Sequence, residues 1–168
     1  MKAGICDQPL IPMRSEPKEG SELVTMLLFG EMYEIVDQHG DWYFVQHGFD
    51  GYQGWFFSRE PVLLTEKEAA NIEEGSMFLA AEPFLKLVSE NRALVVGLGS
   101  PLPNFNGHYC RINDEFFLVK GRAKPTDNKG RPSYLEELAL SLLEAPYLWG
   151  GRTTHGLDCS GFTQNRQN

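Results

Sequence analysis

The apolar positions of this chain fall into short runs rather than long helical stripes. Ile5, Leu10 and Met13 mark a first extended segment, interrupted by Pro9 and Pro12. Leu23–Phe29 is an almost unbroken apolar run, closed by the turn signal Gly30-Glu31. Met32–Val36 and Trp42–Gln46 are β-rich runs split by Gln38-His39-Gly40-Asp41, which predicts a hairpin. Gly51-Tyr52 turns the chain again, and Gly54-Trp55-Phe56-Phe57 returns as a strand. Five short strands within about 55 residues predict a small barrel.

Thr65–Glu74 is charged and alanine-containing, the pattern of a short connecting helix, and Thr65 with Glu68 three residues on predicts a capping box. Beyond it, Met77–Ala81, Phe84–Ser89, Ala93–Leu98, Gly107–Ile112 and Glu115–Lys120 read as strands, with Asn113-Asp114 as a hairpin turn. Their spacing predicts a second small barrel. Lys124–Arg131 reads as a polar linker. Ser133 and Glu136 then predict a capping box, and Leu135, Leu138, Ala139, Leu142 and Leu143 follow the spacing of one buried helix face, which Pro146 ends.

Composition narrows the function classes. The 168 residues are enough for one medium domain or two to three small ones, and the apolar fraction of 42% is ordinary for a globular protein. The net charge of −8 and pI near 5.0 supply no basic face for nucleic acid, and an acidic surface is a poor match for anionic lipid. Peptide or protein partners fit better. Cys6, Cys110 and Cys159 are odd in number and widely spaced, without metal-ligand spacing, so neither a disulfide framework, a metal site nor a cofactor is expected. No apolar run reaches membrane-spanning length and the first residues lack a sustained apolar run. The expectation is a cytoplasmic chain, or an exported one if a signal peptide has been removed.

The chemistry concentrates in Pro146–Gln164, PYLWGGRTTHGLDCSGFTQ. A free cysteine is usually a small packed hydrophobe. Cys159, however, sits between Asp158 and the small pair Ser160-Gly161, with Gly150-Gly151 upstream. Small flanking residues let the backbone bend and a carbonyl approach the sulfur. If Leu157–Gln164 opens a helix, Cys159 lies in its first turn, where the helix field favours a nucleophilic thiolate. Asp158 is placed to cap that helix.

This segment resembles the nucleophile segment of NlpC-type cysteine peptidases, through Tyr147, Trp149-Gly150-Gly151, Asp158-Cys159-Ser160-Gly161-Phe162 and Gln164. Residues 1–62 resemble a bacterial SH3 domain, through the FGE turn, Trp42, Gly51-Tyr52 and Gly54-Trp55. The resemblance implies a mainly β chain: an SH3-like barrel (1–62), a linker (63–74), a second SH3-like barrel (75–124) and the first helices of a truncated papain-like α+β domain (131–168). It implies cleavage of γ-D-glutamyl–diamino acid bonds in peptidoglycan-derived peptides, as in cell-wall recycling. Cys159 would be the nucleophile and Tyr147 a donor to the oxyanion. Asp158 would bind the substrate's free α-amine, Ser160 would wall the site, and Glu31 and Tyr52 would help grip the amine from the SH3-like domain.

The family's general-base histidine comes from a sheet downstream of the nucleophile, and no residue here matches it. His155, His39, His47 and His108 read as loop or turn histidines. Little or no hydrolysis is therefore expected of this chain alone. The alternative is a non-catalytic SH3-like binding module retaining a peptidase remnant. A helix face deprived of its sheet would pack on the barrels or drive homo-oligomerisation.

Overall fold

The computed structural model describes residues 2–126, 140, 142–143, 145–153 and 155–161. The fold is mainly β. Six strands form one antiparallel sheet: β1 (Lys2–Ile5), β2 (Leu10–Arg14), β3 (Leu23–Leu28), β4 (Met32–His39), β5 (Trp42–His47) and β6 (Gln53–Phe57), in the order β1-β4-β5-β6-β2-β3. The extended segment read around Pro9 is thus two strands with different partners. β1 pairs with β4, whereas β2 pairs with β3 and touches β6 at Arg14↔Trp55. The β4–β5 hairpin turns where predicted, with His39 opposite Trp42 and Gly40 at a φ of 60°.

The sheet does not close on itself. The free edge of β1 is taken instead by the chain leading into the helix: Ile5 N–H donates to Val62 O and Leu64 N–H to Ala3 O, both at 3.0 Å. The helix α1 (Glu66–Glu74) follows with its predicted capping box intact. Glu68 N–H donates to Thr65 Oγ1, and Thr65 N–H donates back to Glu68 Oε2 at 2.8 Å.

In place of the second predicted barrel, β8 (Leu85–Val88), β9 (Ala93–Val96), β10 (Tyr109–Ile112) and β11 (Glu115–Lys120) form an open sheet in the order β10-β11-β8-β9. A separate pair joins β7 (Phe78–Ala80) to β12 (Ala123–Pro125). The polar linker read from Lys124 onward therefore begins later. Lys124 and Pro125 are strand residues, and Thr126 N–H still donates to Met77 O. A two-stranded edge tolerates the proline's missing donor, which the composition alone had marked as a break.

One core runs through both halves. Ile5, Phe29, Leu64 and Ile72 pack with Leu85, Leu87, Val96, Cys110, Ile112 and Phe117. Arg92 fastens the same junction, with Nη2 2.8 Å from Asp7 and 2.7 Å from Glu115. A second cluster, including Ile11, Met13, Leu27, Tyr33, Val45 and Phe56, fills the inner face of the six-stranded sheet. The helix read over Leu135–Leu143 lies mostly outside the described residues. Of its apolar set Leu142 is buried against Leu98 and Leu157, while Leu143 is exposed. That apolar contact is thus met within the chain. Among the described residues no helix is long and apolar enough to cross a membrane.

Candidate active site

The segment that carries Cys159 folds as a compact loop and hairpin. β13 (Arg152–Thr153) pairs with β14 (Gly156–Leu157) across a tight turn. Leu157 N–H donates to Pro146 O and Leu148 N–H to Leu157 O, so the strand before Cys159 is held by the residues before the glycines. Cys159 then begins a helical turn at residues 159–161 and is exposed. Two glycines make this packing possible. Gly150 has a φ of 73°, and a Cβ there would lie 2.7 Å from the Leu23 carbonyl oxygen of β3. A Cβ on Gly161 would collide with the Gly151 carbonyl.

Asp158 caps the turn. Its Oδ1 accepts the Gly161 N–H and the Ser160 hydroxyl, each at 2.7 Å, and its Oδ2 accepts the Gly150 N–H at 2.9 Å. Burial opposes the charge, but these donors outweigh it and hold the carboxyl below its ordinary range. Its second oxygen thus already holds the glycine turn. Oδ2, which accepts one of these donors, keeps further acceptor capacity, whereas Oδ1 already accepts two.

A cleft of about 200 Å³ lies between this segment and the six-stranded sheet. Glu22, Val24, Thr25 and Tyr52 form one wall, and Trp149, Gly150, Arg152, Asp158, Cys159 and Ser160 the other. The structure therefore brings together Cys159, Asp158, Ser160 and Tyr52 from the expected set. Trp149 Nε1–H bridges the walls by donating to Glu22 Oε1 at 2.8 Å.

Two expected residues stand elsewhere. Tyr147 is not among the cleft's lining residues; its ring is exposed and its backbone bridges to Leu157. Glu31 is buried behind the cleft rather than lining it. Its carboxylate takes a bidentate bond from Arg152, with Nη2 at 2.9 Å and Nη1 at 3.1 Å. It also accepts the Leu28 N–H at 2.7 Å and faces His47 Nε2 at 3.1 Å. Burial would raise its pKa, but His47 and Arg152 prevail and lower it. A carboxylate engaged on three sides inside the protein is not available to a substrate amine. The acid that does line the cleft from the sheet is Glu22, which sequence reading missed because it sits in an ordinary polar turn. Arg152 was missed as well, since its partner is 121 positions away.

Two histidines have contacts outside the cleft. His47 lies between Glu31 and Asp50, and the His155 ring packs edge-on to Phe84 with centroids 5.5 Å apart. His39 ends β4 and His108 lies in a bend, both exposed. Among the described residues no group of three His, Cys, Asp or Glu is arranged to hold a metal ion.

Residues 13–56 match the family model described as the bacterial dipeptidyl-peptidase SH3 domain. The fold as a whole is that of NlpC/P60 proteins. One such protein from Bacillus cereus ATCC 10987 superposes with a TM-score of 0.78 at 21% identity, covering 98% of this chain and 71% of that one. An NlpC/P60 endopeptidase from Photobacterium damselae subsp. piscicida gives the same score at 16% identity, covering 97% of this chain and 41% of that one.

In sequence the chain is similar to a gamma-D-glutamyl-L-lysine dipeptidyl-peptidase of Bacillus cereus, 28% identical over 169 residues that cover 85% of this chain and 49% of the relative. The protein of the same name from Bacillus subtilis strain 168 is 26% identical, covering 82% of this chain and 50% of the relative. The chain thus spans about half the length of the curated relatives it matches.

Proposed function

We propose that this chain carries the nucleophile and the amine-recognition wall of a cysteine peptidase that cleaves γ-D-glutamyl–diamino acid bonds in peptidoglycan-derived peptides. The observation that carries the reading is the cleft, where an exposed Cys159 stands beside two carboxylates, Asp158 and Glu22, and Tyr52. An acyl-transfer nucleophile next to paired acids suits a substrate that presents a free ammonium close to its scissile carbonyl. Glu22 takes the role that the resemblance assigned to Glu31. A blocked amine would forgo its charge-assisted contacts with these two acids, so the cleft favours unblocked peptides.

In this mechanism the Cys159 sulfur attacks the γ-glutamyl carbonyl and forms a thioester as the bond to the diamino acid nitrogen breaks. The leaving amine needs a proton, and water then hydrolyses the thioester. Tyr147 is assigned to the oxyanion by resemblance, and its exposed ring leaves the hydroxyl able to turn toward a bound peptide. His47 and His155 are held by other partners. We therefore assign the base to residues outside this sequence and expect this chain by itself to hydrolyse little or nothing.

The test is protection of Cys159 from iodoacetamide, read by intact mass. L-Ala-γ-D-Glu-L-Lys is expected to slow alkylation, and its N-acetylated form is not. Equal protection by both forms overturns the amine reading, and no protection by either overturns the peptide reading. Release of free lysine by this chain would overturn the assignment of the base elsewhere.

A further inference from the structure

Four buried or half-buried charged groups form a continuous path between the two walls of the cleft. At one end Arg152 lines the cleft beside Cys159 and bonds Glu31 through both terminal nitrogens. Glu31 Oε2 faces His47 Nε2 at 3.1 Å, and His47 Nδ1 faces Asp50 Oδ1 at 2.8 Å. At the other end Asp50 Oδ1 accepts the backbone N–H of Tyr52 at 3.0 Å, and Tyr52 lines the opposite wall. Arg152 Nη1 also donates to Met26 O at 2.9 Å, so the guanidinium is seated against β3 itself.

Both ring nitrogens of His47 face carboxylates, and its side chain is fully buried. A neutral imidazole has one donor and would turn a lone pair toward one of them. The doubly protonated ring donates from Nδ1 to Asp50 and sets its second N–H against Glu31 as a close ion pair. Two cations and two carboxylates then balance inside the protein. Burial opposes the imidazolium, but Asp50 and Glu31 prevail and lift the His47 pKa to about 9. Glu73 of α1 borders the same cavity of about 280 Å³ as His47 and Glu31, adding a further negative group. Tyr33 lies opposite His47 in the β4–β5 register, and Cys6 donates its backbone N–H to Glu31 O. Burial raises the pKa of both and keeps them neutral.

We propose that Glu31 and His47 are positioning residues for the cleft, setting the wall that carries Cys159 relative to the wall that carries Tyr52 through Arg152 and Asp50. A purely structural ion cluster would change stability when broken and leave the cleft geometry of the folded molecule alone. A positioning cluster moves both walls when His47 loses its proton. The inference rests on reading the cleft as a peptide site, but its primary readout does not.

The reporter is the Trp149 indole N–H, which bonds Glu22 across the cleft and touches none of the four charged groups in the bonds described. In the full chain, nitrogen-15 spectra follow this resonance and the His47 ring together from about pH 7 to 10, a range that brackets the raised His47 value. Both are expected to share one midpoint. Glu31→Gln, checked for folding by circular dichroism, is expected to displace the Trp149 resonance at pH 7. It should also weaken binding of L-Ala-γ-D-Glu at least about fivefold. A Trp149 signal that stays flat across the wild-type titration overturns the inference, and that arm decides the matter if the variant fails to fold. A folded Glu31→Gln protein with an unmoved Trp149 resonance overturns it too. Absence of peptide binding in the wild type would instead sink the peptide reading of the cleft.

Discussion

Replacing Arg152 with methionine should be among the most damaging single changes in this chain. The guanidinium is 2% exposed and Glu31 5% exposed, so neither charge is screened by water. Arg152 supplies three hydrogen bonds, two to Glu31 and one to Met26 O. Methionine fills similar volume but leaves two carboxylates facing a single imidazolium. Removing one partner of a buried pair costs about 3–5 kcal/mol, out of a total stability of about 5–15 kcal/mol for a domain. Urea unfolding at pH 7 should show that loss with an unchanged slope against denaturant. Adding Glu31→Gln to the variant restores neutrality, since His47 then balances Asp50. The double variant should be more stable than the sum of the two single losses by at least about 1 kcal/mol. A loss under about 1 kcal/mol for Arg152→Met, or strict additivity in the double variant, would refute the reasoning.

The His47 pKa of about 9 lies above its ordinary value of 6.5, so its contribution is complete below about pH 6.5 and lost as pH rises through 9. That contribution is of order 3 kcal/mol, and between pH 6 and 8, below the range in which the buried thiols contribute, unfolding midpoints should fall in the wild type but stay level in His47→Gln. Iodoacetamide at neutral pH should add one group, at Cys159. The Cys110 thiol is pushed up to about 12 by burial and the Cys6 thiol well above its ordinary value, and both are enclosed; peptide mapping that finds either one labelled in the folded protein contradicts this. Asp158→Ala should cost about 1–2 kcal/mol, since it removes a cap and frees the Gly150 turn at once. Thr65→Ala, which breaks only an exposed capping box, should cost about 1 kcal/mol and leave Cys159 labelling rates unchanged.

Local signals in the chain fixed the parts whose causes are local. The Thr65–Glu68 capping box, the Gly40 and Asn113 hairpin turns and Asp158 as the cap before Cys159 all depend on neighbours within a few residues, and all are found. The tight packing of the Cys159 segment was legible for the same reason, because glycines at 150 and 161 answer close backbone approaches within or beside it. The Lys124–Pro125 strand was not legible, since its pairing with β7 supplies what its composition lacks.

The sequence by itself determined the alternation of strands, the helix α1 and the cap that Asp158 places before Cys159. Tertiary structure alone decided which acids face the cleft. Glu31 and Glu22 both lie in polar turns along the chain, and no periodicity separates them. Folding buries Glu31 on Arg152 and His47, where pairing offsets the cost of desolvation, and leaves Glu22 at the cleft, bonded to Trp149. Trp149 and Arg152 lie more than a hundred residues from the acids they bond, and loops of that length carry no local trace of what they join.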